Sequence, residues 1–79
     1  MSEYNEQVIR NLEVLKEKLD TQLQDINTAI AKTKDDGAVA TLLHTQEKLH
    51  DNKRVADLEI QIHKLQMELD VLLKKHKVV

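Results

Sequence analysis

Residues that interrupt or cross-link a chain are almost missing from this sequence. Its 79 residues include no proline, no cysteine and a single glycine. Without cysteine, disulfides and thiolate metal sites are excluded, and the chain is typical of a reducing compartment, so we expect a cytoplasmic protein. Without proline, Gly37 is the only residue that interrupts a helix strongly.

Bulky aromatic residues are also scarce, because Tyr4 is the only one in the chain. The apolar residues are therefore almost all Leu, Ile, Val and Ala, while charged residues make up 33% of the sequence. This composition is typical of long helices lying side by side. A chain of this length forms one domain at most and has a thin core. We expect one all-α domain over residues 1–79.

The charge and hydropathy patterns argue against two classes of partner. The formal net charge is -2, and neither half of the chain is strongly basic, as a nucleic-acid partner would require. No run of residues approaches the ~20 apolar positions that a membrane span needs. We therefore expect no nucleic-acid partner and no membrane span.

The residue types that carry chemistry do not form a site. The four histidines, His44, His50, His63 and His76, lack the four-residue spacing that a helical zinc site uses. The sequence has no glycine-rich phosphate loop, and a chain this short has little capacity for a water-excluding cleft. We expect no metal, no cofactor and no enzymatic activity.

Apolar spacing and the single glycine predict two helices joined by one turn. Helix 1 is expected over about residues 3–34, the turn at 35–37 and helix 2 over about residues 38–77, with Gly37 free to take a positive φ. The apolar residues of helix 1 recur at helical spacing. They are Val8, Leu12, Leu15, Leu19, Leu23, Ile26 and Ile30.

Helix 2 contains a run of aliphatic residues at strict heptad spacing, which we call the heptad stripe. It consists of Val55, Leu58, Ile62, Leu65, Leu69 and Leu72. Leu42 and Leu49 lie one residue out of phase with it, and the polar run 50–54 separates them from the heptad stripe. That run could be a break that produces a three-helix bundle. Because it contains neither glycine nor proline, we favour one continuous helix.

The heptad stripe is predicted to pack against helix 1 in an antiparallel coiled-coil hairpin. Partners across such a hairpin have residue numbers with a nearly constant sum, because both helices rise equally per residue. The expected pairs are Leu23 with Leu49, Leu19 with Val55, Leu15 with Leu58, Leu12 with Ile62, Val8 with Leu65, and Tyr4 with Leu69. Truncating Leu15 or Leu58 to alanine is then expected to cost about 2–4 kcal/mol.

A further set of residues, which we call the second stripe, is predicted to point away from this seam. It consists of Ala56, Ile60, His63, Met67 and Val71. Apolar residues left exposed beside a finished seam indicate a missing partner. We expect a non-catalytic protein-interaction module that binds another protein through the second stripe. The alternative is a structural assembly or tethering subunit that associates with copies of itself, as a homodimer for example.

The segment Leu42–Leu65 resembles the second helix of HR1 domains. These domains are the antiparallel coiled-coil fingers of protein kinase N and fungal protein kinase C, and the resemblance extends over residues 8–72. The matching positions are Leu42, Leu43, Gln46, Leu49, Asp51, Lys53, Val55, Gln61 and Leu65. Helix 1 departs from the family pattern, since residues 26–30 replace a Gly-Ala-Glu-Asn-like stretch. The resemblance implies binding to a GTP-loaded Rho-type small GTPase, without assigning the docking residues.

Overall fold

The chain folds into two long antiparallel helices. The computed structural model describes residues 2–76, and side chains from residue 3 onward. Helix α1 spans Ser2–Lys32 and α2 spans Asp36–Lys75. The described residues contain no strand, and they form a rod with principal extents of 69 × 15 × 13 Å. The predicted all-α hairpin is therefore confirmed.

The connection between the helices has the predicted length of three residues but lies earlier than predicted, since residues 33–35 separate α1 from α2. At the end of α1, both the backbone N–H and the hydroxyl of Thr33 donate to the Ala29 carbonyl, at 3.0 and 2.6 Å. At the start of α2, Asp35 is extended and its carbonyl accepts from the Val39 N–H at 2.9 Å. The predicted end of helix 2 at Lys77 lies outside the described residues.

Gly37 does not form the turn. It lies in the first turn of α2, and no residue in the described chain has a positive φ. The expectation that this glycine adopts a left-handed conformation is wrong, because residues 33–35 reverse the chain without one. A Cβ at this position would meet only the Asp35 carboxylate oxygens, at 3.9 and 4.0 Å, which is ordinary contact.

Gly37→Ala should therefore stabilise the hairpin. Alanine fits the helical backbone at this position and reduces the conformational freedom of the unfolded chain, so we expect a gain of about 0.5–1 kcal/mol. Urea unfolding followed by circular dichroism measures the change. A loss of stability in this variant would mean that Gly37 needs a conformation other than helix.

Helix α2 is continuous through the polar run 50–54. The three-helix alternative is therefore wrong. The apparent change of phase disappears as well, because one row of shielded α2 residues runs through the polar segment with an unbroken spacing of four and three residues. This row includes Leu42, Gln46, Leu49, Lys53, Ala56, Ile60, His63 and Met67, and Asp57 is half-buried beside it.

The hairpin buries the opposite side of α2 from the one predicted. Ala56 and Ile60 are only 2% and 7% exposed. All six residues of the heptad stripe are instead 51–61% exposed. The prediction that the heptad stripe packs on helix 1 is wrong, and so is the prediction that the second stripe faces solvent, except at Val71, which is exposed.

Helix α1 presents nearly the face that its apolar spacing predicts. Leu19 and Leu23 are buried in the seam, and Leu12 and Ile26 are half-buried above and below them. Leu15 is the exception, since it is exposed at the edge of the seam. The seam therefore has few fully aliphatic layers and depends on polar residues for the rest of its length.

Candidate functional site

Polar pairs connect the two helices along the described part of the seam. Lys16 forms an ion pair with Asp57, and Lys53 Nζ lies 2.6 Å from Asp20 Oδ1. Nearer the turn, the Gln46 side-chain amide donates to Asn27 Oδ1. At the far end, His63 Nδ1 lies 2.8 Å from Asn5 Oδ1, so that nitrogen is the donor. Gln46, Lys53, Asp57 and His63 of α2 thus each have a polar partner on α1.

Three of these pairs also define the register of the hairpin. The residue numbers of Lys16 and Asp57, of Asp20 and Lys53, and of Asn27 and Gln46 give the same sum, whereas Asn5 and His63 at the far end give a smaller one. The shared sum falls within the range of the predicted leucine pairs. The axial alignment of the helices therefore agrees with the prediction, and only the rotation of α2 about its own axis differs.

The pKa of Lys16 is raised above its ordinary value by its surroundings in the seam. Its hydrogen bond to the Asp57 carboxylate raises the pKa of the Lys16 ammonium, while burial lowers it, and the charges of Asp57, Asp20 and Glu13 raise it further. A raised folded-state pKa stabilises the hairpin at all pH values below the ordinary lysine range. That contribution is lost only as the pH rises through the raised pKa.

The predicted partner-binding residues are mostly enclosed within the hairpin. Ala56 and Ile60 form its core together with Leu19 and Leu23. His63 and Met67 are half-buried. The edge of the Tyr4 ring meets the His63 ring with centroids 6.2 Å apart. Only Val71 is exposed. These residues are held by α1, so a partner could not reach the second stripe as a continuous surface.

The heptad stripe is the candidate functional surface instead. Residues spaced by three and four positions share one face of a helix, so its six members form a continuous aliphatic row on α2. Val55 and Leu15 line one groove between the helices, and Leu69 and Tyr4 line another. Exposed apolar residues of α1 therefore extend the stripe sideways at two points.

Sequence reasoning found both stripes of α2 but assigned them in reverse. The heptad stripe is the more apolar of the two, so the sequence favours it as the seam. The sequence does contain a signal for the correct face, which is the match of polar residues between the helices. At the predicted register, Asp20 faces Lys53 and Asn27 faces Gln46 only if the second stripe of α2 is turned toward α1.

Comparisons of the chain with protein-family models, with curated proteins and with solved structures gave no match. Among the described residues, no group of three or more His, Cys, Asp or Glu could hold a metal ion. Over the same part of the chain, neither helix combines the length and the apolar character needed to cross a membrane.

Proposed function

We propose that this chain is a non-catalytic protein-interaction module and that it binds its partner through the heptad stripe. The observation that carries the proposal is the exposure of six aliphatic side chains in one row, each 51–61% accessible. Contiguous apolar surface of this kind is uncommon on monomeric proteins and marks interaction sites.

Burial of the heptad stripe provides the driving force for association. Fully burying a leucine or isoleucine side chain contributes about 1.5–3 kcal/mol, so covering the exposed half of each contributes about 1 kcal/mol. Six such side chains contribute about 6 kcal/mol toward the cost of association, which includes lost translational and rotational freedom and the ordering of interface side chains. No comparable row of large apolar residues is exposed on the described part of α1, where Val14 stands alone in its groove.

The shape of the molecule favours binding over catalysis. A rod 15 × 13 Å in cross-section offers open grooves, whereas catalysis requires polar groups converging in a cleft that excludes water. The polar groups of the seam bond to one another, as Asn5 does with His63. They are therefore engaged in holding the hairpin together.

A GTP-loaded Rho-type small GTPase is the partner that the resemblance to HR1 domains suggests. Calorimetric titration of the chain with such a GTPase, loaded with a non-hydrolysable GTP analogue, should show saturable binding. The GDP-loaded form should bind at least about tenfold more weakly, a difference of 1.4 kcal/mol. Equal binding of the two forms, or none, would exclude this partner.

Two variants test whether the heptad stripe is the docking surface. Ile62→Asp places a charge in the middle of the stripe and should weaken GTPase binding by at least about tenfold, because the carboxylate loses water without gaining a partner. Val14→Asp is the matched control, since Val14 is 51% exposed but lies on α1 away from the stripe. If both variants bind like the wild type, the partner docks elsewhere.

A further inference from the structure

The heptad stripe has the residue pattern of a two-stranded coiled coil. With Val55 as position a, its a positions hold Val55, Ile62 and Leu69, and its d positions hold Leu58, Leu65 and Leu72. In parallel coiled coils, β-branched residues at a with leucine at d favour two strands, and two of the three a positions here are β-branched. A second copy of this chain presents the same row, so each stripe is a fitting partner for the other.

The ends of the heptad stripe define how long such a contact would be. One heptad before Val55 and Leu58, the equivalent positions hold Lys48 and Asp51, whose charges end the apolar row. The row therefore covers 55–72, about 27 Å of helix at 1.5 Å per residue. A contact of this length is short for a coiled coil, and we expect reversible association.

Flanking charges distinguish parallel from antiparallel pairing. Arg54 occupies position g and Glu59 the following position e, which face each other between the two copies of a parallel pair. Symmetry gives two such ion pairs per dimer. An antiparallel pair that buries the whole stripe would instead bring Arg54 next to Lys75 of the second copy. Arg54 is available for this contact, because its side chain is 75% exposed. Its ion pair with Asp51 is weak, since the charged atoms are 4.0 Å apart.

The hairpin leaves room for the second copy. The seam residues Ala56, Ile60 and His63 face α1, and the heptad stripe lies roughly 150° around the α2 axis from them at 3.6 residues per turn. A second α2 can therefore approach the stripe without displacing α1. The four helices would lie in the order α1, α2, second α2, second α1.

We infer that two copies of the chain associate through a parallel α2–α2 coiled coil over residues 55–72. This inference rests on the proposed function, because it uses the same interaction surface, and a second copy bound there competes with the GTPase for the heptad stripe. It corresponds to the alternative prediction of an assembly subunit that associates with copies of itself, but it uses the heptad stripe instead of the second stripe.

Sedimentation equilibrium of the full chain tests the association. The mass should rise from 9.1 kDa toward twice that value between low micromolar and millimolar concentration. Ile62→Asp should raise the concentration at which half of the chain is dimeric by at least about tenfold, and Val14→Asp should leave that concentration unchanged. A monomer at every concentration overturns the inference. If that monomer still binds the GTPase and Ile62→Asp abolishes the binding, the proposed function stands while self-association fails.

Orientation is tested by disulfide trapping, for which the chain offers a background without cysteine. In a parallel pair, Leu58→Cys meets its own copy at a d position, within the Cα separation of 4.4–6.8 Å that a disulfide needs. In the antiparallel pair, position 58 faces position 69, and its own copy is roughly 16 Å away along the axis. Leu58→Cys alone should therefore cross-link, and Val14→Cys should not. Cross-linking only in a mixture of Leu58→Cys and Leu69→Cys overturns the parallel arrangement.

A charge exchange tests the ion pairs. Arg54→Glu should weaken dimerisation by roughly fivefold to tenfold, because it places like charges at two symmetric contacts. Adding Glu59→Arg should restore the affinity. An Arg54→Glu variant that dimerises like the wild type would contradict the predicted parallel register.

Discussion

Ile60→Asp is expected to unfold the hairpin. Ile60 is 7% exposed and packs in the seam, so the substitution would bury a carboxylate without a polar partner. Loss of the isoleucine packing and the buried charge together should cost about 4 kcal/mol or more. A small domain has about 5–15 kcal/mol of stability, so most of it would be lost. Circular dichroism and chemical denaturation measure this directly.

Ile62→Asp is the matched control for that experiment. The residue type is the same and the position is two residues away, but Ile62 is 52% exposed on the heptad stripe. At a concentration where the chain is monomeric, this variant should change stability by less than about 0.5 kcal/mol. If Ile62→Asp unfolds the chain and Ile60→Asp does not, α2 is rotated as the sequence first suggested.

Leu23→Ala is expected to cost about 2–4 kcal/mol, the range for truncating a buried leucine where the surroundings relax incompletely. Leu23 is 6% exposed and forms the buried centre of the seam with Leu19. The described residues include no large side chain that is completely shielded from solvent. Each leucine of this thin core therefore accounts for a large share of the total stability. Urea unfolding at one temperature, together with thermal melting, measures the loss in the free energy of unfolding.

Leu58→Ala provides the comparison, because Leu58 is 51% exposed and contributes to the heptad stripe. Its truncation should cost less than about 1 kcal/mol in the monomer. The sequence alone predicted equal losses at Leu15 and Leu58, and the exposure of both positions now separates them from Leu23. Comparable losses in Leu23→Ala and Leu58→Ala would indicate that the heptad stripe is buried in solution.

The sequence by itself determined the fold class, the number of helices and their axial alignment. Helix formation follows from composition and from local spacing, and the absence of proline and of further glycines allows two long uninterrupted helices. Axial alignment follows because a turn of three residues permits only a short connection, and equal rise per residue then places Asn27 opposite Gln46 and Lys16 opposite Asp57, as the structure shows. Neither inference needs knowledge of which face of α2 is buried.

The rotation of α2, and with it the location of the candidate site, was decided only by the tertiary structure. Hydrophobic burial is non-directional, so a helix with apolar residues on two sides can bury either of them. The choice depends on whether the polar residues accompanying each side find partners. Lys53 and His63 are turned inward because Asp20 and Asn5 face them on α1. Such pairings join residues far apart in the chain, and they leave the more aliphatic row, from Val55 to Leu72, on the surface.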